Sequence, residues 1–230
     1  YEITLLLRQN KLSSDPLVKI VKGDLLNQES LLKATENIDL VVHLAGITHT
    51  NNKELYYNVN TKGTKNLIAA CQKNKVKKFI YISSRTAGID GGAYAHSKLL
   101  AEGEVRKSSM DWIILRVAEV YGASEKEVIT RLIKTIKKSF FIPIVGNGEY
   151  LLAPVYVDDV IFAIISSINS QLSQKIYTIA GPEEMTYNTL VDKILNFLQI
   201  RRPKIHIPVL FLKIITFVFF IFKKDILVRD

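Results

Sequence analysis

Short apolar runs alternate with longer stretches of mixed polarity over the first half of this 230-residue chain. The apolar runs are rich in β-branched and aromatic residues, which is typical of buried strands. Helices are predicted between them, at 31–35 and roughly 53–73. Short strands that alternate with helices indicate a parallel sheet covered on both faces, so we predict a doubly wound α/β fold. The predicted strands cover residues 3–8, 18–21, 39–44, 79–82 and 112–116.

The alternation of apolar runs with stretches of mixed polarity is less regular in the second half of the chain. Further helices and one strand are predicted there, at 124–138, 158–169, 186–199 and 175–179. We predict a large domain over residues 1–122, with 154–170 packing back on it. Residues 123–153 and 171–230 are predicted to form a small C-terminal lobe that ends in an apolar helix.

The stretch 79–98 carries the clearest candidate chemistry. Its strand ends at Ser84, a glycine-containing loop follows, and a predicted helix then carries Tyr94 and Lys98. Residues four apart lie on one helix face, so the phenol and the ammonium point the same way. A tyrosine has a reference pKa of about 10, and a nearby lysine favours its ionised form. The pattern therefore predicts a tyrosine acid–base site with a serine beside it. A surface pair is the alternative, because this spacing also arises by chance.

Ser84, Tyr94 and Lys98 resemble the Ser–Tyr–Lys set of the short-chain dehydrogenases/reductases, in the NAD-dependent epimerase/dehydratase branch. Five further segments resemble signatures of that family: GDL at 23–25, which resembles the adenine-contacting segment, VVHLAG at 41–46, NVNTKGTKNL at 58–67, LRVAEVYG at 115–122 and PVYVDDV at 154–160. The resemblance implies a Rossmann-like fold and a small C-terminal substrate lobe. It also implies an enzyme with an NAD or NADP cofactor that transfers hydride at a hydroxyl-bearing carbon, with Tyr94 as acid/base.

Ligands of parallel sheets bind at the carboxyl ends of the strands, so the strand-end residues are expected to share one rim. The resemblance implies that Asn60 is a structural asparagine and that the substrate meets Ser84, Arg85 and Glu119. The cofactor contacts that it implies, besides Tyr94 and Lys98, are Arg8, Asp24, Leu25, Ala45, Gly46 and Val117.

Arg8 bears on the choice of cofactor. An acidic residue at this strand end would bind the ribose hydroxyls of NAD, whereas an arginine accommodates a 2′-phosphate. The segment LLLRQN has the arginine and no acid, which favours NADP; a solvated arginine is the alternative. The family's phosphate-binding glycine loop is absent from the sequence. We therefore expect a strand, that loop and a helix to precede Tyr1 in the complete protein.

Charge and composition narrow the function further. The net charge of +9 could attract phosphorylated ligands, anionic lipid or nucleic acid, or reflect solvated helix faces. No zinc-finger spacing or aromatic-rich RNA motif is present, so we predict no nucleic-acid partner. No metal-ligand spacing of His, Asp or Glu is present, so we predict no metal. The single cysteine, Cys71, cannot form an internal disulfide, which favours the cytoplasm.

A nucleotide sugar is one candidate substrate, but two positions argue against it. Sugar-nucleotide members of the family often carry an asparagine where this chain has Glu119 and an arginine where it has Leu152. Net oxidation, epimerisation and dehydration all stay open. So does a different class of function, a non-catalytic NAD(P)-binding accessory subunit or membrane-associated scaffold, like the family's relative in respiratory complex I.

The apolar tail at 209–222 has only Lys213 and Thr216 as polar breaks. It is shorter than the roughly 20 apolar residues that a membrane span needs. Three interpretations stay open. The tail is a buried or subunit-interface helix, the latter compatible with a homodimer, or a helix lying in the membrane interface, which would make the protein peripheral to the inner face of the membrane, or, third, a true span.

Overall fold

The computed structural model describes residues 1–9, 15–122, 128–208 and 210–211 of the chain. These form two compact units: 1–118 with 158–179, and 119–157 with the residues from 180 onward. The predicted apolar tail lies outside the described residues except for Leu210 and Phe211, and so does the start of the helix predicted at 124–138.

Strands and helices alternate along the first unit, as predicted. Its elements in chain order are β1 (Ile3–Leu7), β2 (Val18–Lys22), α1 (Gln28–Ala34), β3 (Leu40–His43), α2 (Lys53–Tyr56), a π-helical segment (Tyr57–Lys62), α3 (Gly63–Lys73), β4 (Lys78–Ser84), α4 (Gly92–Arg106) and β5 (Asp111–Val117). The second unit follows with β6 (Val120–Tyr121), α5 (Val128–Lys138), β7 (Ile142–Val145), β8 (Leu151–Leu152) and β9 (Val155–Tyr156). The remaining elements are α6 (Val157–Asn169) and β10 (Lys175–Ile179), which return to the first unit, and then β11 (Met185–Thr186), α7 (Tyr187–Phe197) and β12 (Lys204–Ile207) in the second.

The strands of the first unit are parallel. One sheet has the order β10-β5-β4-β3, and β1 pairs with β2 in a second parallel pair. Strand β4 is buried on both faces: Phe79 and Tyr81 lie in a cluster with α3, α4 and β5, whereas Ile80 faces the other way and is also buried. Burial on both faces explains the continuous apolar sequence of β4, in contrast to the alternation of a half-exposed strand.

The helix predicted at 53–73 is continuous but changes its winding. Asn52 caps its start, since its side chain accepts a hydrogen bond from the amide of Glu54 at 3.0 Å. The π-helical segment then inserts a wider turn that contains the buried Asn60. Such turns are uncommon and occur frequently at functional sites.

The second unit has its own core. Isoleucines of α5 and β7 pack against α7, whose start is capped by the Thr186 side chain on the amide of Thr189 at 3.1 Å. Three strand pairs complete the unit: β6 with β9 and β7 with β12, both parallel, and β8 with β11, antiparallel.

The boundary between the units differs from the predicted one. Strand β10 pairs with β5, so the segment up to Ile179 extends the sheet of the first unit, although the sequence suggested that 171–230 belongs to the lobe. Residues 119–122 group with the second unit. Among the described residues, no helix combines the length and apolar character needed to cross a membrane.

Candidate active site

The carboxyl end of β4 and the first turns of α4 bring together the serine and tyrosine predicted from the sequence. The Ser84 side chain opposes the rise in the pKa of Tyr94 that burial causes, and the Ser84 hydroxyl lies 2.9 Å from Oγ1 of Thr86. The loop between them ends at Gly92, whose φ of +80° suits glycine and strains other residues. This turn sets the start of α4 and therefore the position of Tyr94.

Lys98 lies one turn after Tyr94 and is almost entirely buried. Its ammonium donates a hydrogen bond to the carbonyl oxygen of Ile82 at 2.7 Å and lies 4.2 Å from the centre of the Tyr81 ring. Burial lowers the pKa of Lys98 to about 8, and the negative charge of Glu102 opposes that shift. Lys98 is thus a cation held between a backbone carbonyl and an aromatic face.

The pKa of Tyr94 is raised, chiefly by burial, with the hydrogen bond from Ser84 opposing the shift and Tyr56 adding to it. The Tyr56 ring meets the Tyr94 ring edge-on, with centroids 5.8 Å apart. We expected Lys98 to favour the phenolate, but its ammonium contacts Ile82 and Tyr81. The neutral phenol is therefore the favoured form of Tyr94 in this arrangement.

A buried ion pair behind the site was missed from the sequence. Glu102, four residues after Lys98 and wholly buried, accepts hydrogen bonds from Ser83 and from the guanidinium of Arg116. Two signals could have revealed it. Glu102 continues the four-residue spacing of Tyr94 and Lys98, and Arg116 interrupts the otherwise apolar run WIILRV.

Asn60 joins the loop after β3 to α4, in line with the structural role that the resemblance implied. Its side chain accepts a hydrogen bond from the amide of Ile47 at 2.8 Å and donates to the carbonyl oxygen of Ile47 and to the hydroxyl of Ser97, both at 3.0 Å. Ser97 in turn donates to the carbonyl oxygen of Tyr94. The loop and the first turn of α4 are thus held in one network.

The loop after β3 brings its glycine close to the Asn60 side chain. A Cβ added to Gly46 would lie 3.0 Å from Oδ1 of Asn60, so a larger residue would disturb that amide. Ala45 and Gly46 are exposed at the end of β3, and Arg8 is exposed just beyond β1. Exposed backbone at Ala45 and Gly46 and the cation of Arg8, all at strand ends, are suited to binding a nicotinamide dinucleotide.

The other predicted site residues lie in differing surroundings. Asp24 accepts a hydrogen bond from the amide of Leu26 at 2.8 Å, while the Leu25 side chain is in the core and its carbonyl oxygen accepts from Asn66. The carbonyl oxygen of the buried Val117 accepts from the amide of Arg85 at 2.9 Å. The structure thus gives Leu25 a packing role, which the sequence did not suggest.

Glu119 belongs to the second unit, whereas Ser84 and Tyr94 belong to the first. Its carboxylate accepts a hydrogen bond from the amide of Ala153 at 3.2 Å, and its carbonyl oxygen accepts from Val155. Leu152, the other position that argued against a nucleotide sugar, pairs with Met185. In the described ranges, no three His, Cys, Asp or Glu residues gather as a metal site would require.

Comparison with known families decides the assignment. The model of the NAD-dependent epimerase/dehydratase family matches residues 1–180. The chain belongs to this family. The predicted family is thus confirmed. Its signatures at 23–25, 41–46, 58–67, 115–122 and 154–160 all lie within the matched residues.

Curated proteins similar to this chain include a sterol carboxylate dehydrogenase and an oxoalkanoate reductase. Sterol-4-alpha-carboxylate 3-dehydrogenase (decarboxylating) of Mus musculus is 29% identical over 222 residues, covering 84% of this chain and 61% of the relative. The 2-alkyl-3-oxoalkanoate reductase of Shewanella oneidensis is 26% identical and covers 77% of this chain and 54% of the relative. The chain thus spans about three fifths of the sterol relative and about half of the reductase.

Solved structures confirm the Rossmann-like α/β fold. MoeE5 in complex with UDP-glucuronic acid and NAD gives a TM-score of 0.77 at 21% identity, covering 90% of this chain and 77% of that one. UDP-glucuronic acid 4-epimerase from Bacillus cereus in complex with NAD gives 0.74 at 23% identity, covering 84% and 70%. At these identities the likeness concerns the fold alone.

Proposed function

We propose that this family member carries out NAD(P)-dependent hydride transfer at a hydroxyl-bearing carbon, with Tyr94 exchanging the hydroxyl proton. The observation that carries the proposal is the placement of Ser84 at the carboxyl end of β4 and of Tyr94 in the first turn of α4, with Lys98 buried one turn further along. A non-catalytic accessory subunit has no need to keep these three side chains in this arrangement.

Each side chain has a defined task in this proposal. The nicotinamide, when bound, supplies the hydride or accepts it. Ser84 hydrogen-bonds the reacting oxygen and holds it beside the phenol of Tyr94. Because the neutral phenol is favoured, Tyr94 is ready to donate its proton as a carbonyl is reduced to an alcohol. Lys98 supplies a buried cation one turn further along α4, anchored on the Ile82 carbonyl oxygen and the Tyr81 ring.

We further propose a substrate whose reacting carbon neighbours the carbon that bears a carboxylate. The names of both relatives describe this relationship: carbons 3 and 4 of the sterol, and carbons 3 and 2 of the oxoalkanoate. Arg85 follows Ser84 directly, and a guanidinium is well suited to a carboxylate because it can donate two parallel hydrogen bonds. A nucleotide sugar is the alternative substrate, and Glu119 remains a proposed substrate contact.

The test is a turnover assay of the full-length protein with NAD or NADP, offered 3-hydroxy acids of increasing apolar size and, in parallel, nucleotide sugars. The proposal expects turnover of a 3-hydroxy acid. It also expects Arg85→Ala to raise KM for the acid much more than for the matching alcohol, with Arg85→Lys in between. Turnover of nucleotide sugars alone would contradict the substrate class. Cofactor binding without any turnover would favour the accessory subunit.

A further inference from the structure

Two segments of the second unit concentrate positive charge. Residues 128–146 and 193–211 contain eight lysines and arginines and no aspartate or glutamate. They pair with each other through β7 and β12. Two of the cations form ion pairs with carboxylates outside the segments, Lys193 with Glu183 and Lys204 with Asp192. The surface built by these segments is therefore strongly basic.

The outer face of the β7–β12 pair is apolar. In β7, Ile142 and Ile144 point into the core, so the residues between and beside them point outward. Their partners in the parallel register are equally apolar, with Pro143 opposite Ile205 and Val145 opposite Ile207. Val145 is 49% exposed and Ile205 45%. This face offers apolar side chains to whatever covers it.

Cations and an exposed phenylalanine directly precede β7 in the chain. Phe140, just before β7, is 88% exposed and follows the exposed Lys137 and Lys138 in the last turn of α5. Arg202 donates a hydrogen bond from Nε to the carbonyl oxygen of Ser139 at 2.8 Å, which fixes the approach to β12 beside them. We call the surface formed by Lys137, Lys138, Phe140, Pro143, Val145 and Ile205 the basic–apolar face.

We propose that the basic–apolar face binds the surface of an anionic lipid bilayer. The positive charge of this face favours an anionic bilayer over a second copy of the chain and over the chain's own tail. A second copy of the chain would bring the same cations, and residues 209–224 of the tail contain three lysines and no acid. A bilayer offers anionic headgroups for the lysines and an apolar interior for Phe140 and the strand face. Long lysine stems also allow the charge to stay at headgroup level while apolar neighbours enter. The proposal concerns the second unit alone and is independent of the proposed function.

The test is co-sedimentation of the full chain with phosphatidylcholine vesicles, with and without phosphatidylserine. Binding should require phosphatidylserine and weaken as salt is added, because exposed charges are screened. The double variant Lys137→Glu/Lys138→Glu should bind at least about tenfold more weakly, since each basic residue near an anionic surface contributes several-fold. The matched control is Lys65→Glu/Lys73→Glu, which reverses two exposed lysines of α3 in the first unit and should bind normally.

A second pair of variants tests the apolar part. Phe140→Ser should weaken vesicle binding several-fold, whereas Phe162→Ser, which alters an exposed phenylalanine of α6, should not. Full binding by the Lys137/Lys138 variant would assign vesicle binding to the tail and overturn the proposal. So would binding without phosphatidylserine, the absence of vesicle binding, or a dimer in solution that the same variants dissociate.

Discussion

The guanidinium of Arg116 holds the carboxylate of Glu102 in a two-pronged ion pair, with Nε 2.9 Å from Oε1 and Nη2 2.7 Å from Oε2. Ser83 donates a third hydrogen bond to Oε1 at 2.6 Å. Register explains the convergence, because Ser83 and Arg116 are directly paired in β4 and β5. The pair therefore fixes α4, which carries Tyr94 and Lys98, against the two central strands.

Removing one partner of this pair should destabilise the protein strongly. Arg116→Leu leaves a wholly buried carboxylate without its counter-ion, and breaking a buried pair in this way costs about 3–5 kcal/mol. Because the arginine side chain is partly exposed, we expect the free energy of unfolding to fall by about 3 kcal/mol. Urea denaturation measures this loss. Arg116→Leu combined with Glu102→Leu should recover much of it.

An exposed ion pair provides the control. Nζ of Lys107, which directly follows α4, lies 2.9 Å from Oε1 of Glu104, and the lysine side chain is largely in solvent. Lys107→Ala should change the free energy of unfolding by less than about 1 kcal/mol. Equal losses in Lys107→Ala and Arg116→Leu would show that burial of Glu102 does not set the strength of its pair.

Tyr94→Phe should abolish turnover and leave cofactor affinity within a few-fold. The substitution removes only the hydroxyl that exchanges the proton, while the ring keeps its edge contact with Tyr56. Tyr57→Phe is the matched control, since its hydroxyl lies 3.2 Å from Nδ1 of His96 and has no proposed chemical role. Steady-state kinetics and cofactor titration measure the two effects. Undiminished turnover in Tyr94→Phe would remove this residue from the mechanism.

The buried His43 should make stability sensitive to acid. The Thr64 hydroxyl donates to the carbonyl oxygen of Asn60, so Nε2 of His43 donates to Thr64 at 2.9 Å. Burial lowers the pKa of His43 to about 3, with the charge of Lys98 adding to the shift. The unfolded chain therefore binds a proton that the folded chain does not at any pH between about 3 and the ordinary histidine value of about 6.5. Stability from this group is complete above pH 6.5 or so and falls as the pH drops toward 3.

His43→Gln tests this linkage because glutamine keeps an amide donor and cannot gain a proton. The unmodified protein should lose about 3 kcal/mol more than the variant between neutral pH and pH 4, at roughly 1.4 kcal/mol for each pH unit below 6.5. Urea denaturation at several pH values gives the difference. Parallel pH profiles in the two proteins would contradict a neutral, buried His43.

Sequence reasoning found the strands and the Tyr94 helix because period and composition are local properties. It missed the Glu102–Arg116 pair because the pairing depends on the register of β4 and β5, which apolar runs do not encode. The direction of the Lys98 ammonium was missed for a similar reason: the spacing from Tyr94 shows a shared helix face but not the Ile82 carbonyl beneath it. Likewise, β10 joins the first unit through pairing with β5, a contact between distant parts of the chain.

Arg8 should give the protein a preference for NADP over NAD. It is exposed immediately after β1, at a strand end where a guanidinium can bind a 2′-phosphate, and the neighbouring segment LLLRQN offers no acid for the ribose hydroxyls. A charge-assisted hydrogen bond contributes about 1.5–3 kcal/mol, so Arg8→Ala should weaken NADP binding about ten- to a hundred-fold and leave NAD binding unchanged. Arg8→Lys should retain part of the preference, because an ammonium keeps the charge without the planar fork.

Titration of the full-length protein with both cofactors measures the preference for NADP. Tighter binding of NAD than of NADP in the unmodified protein would refute the assignment and make Arg8 a solvated arginine.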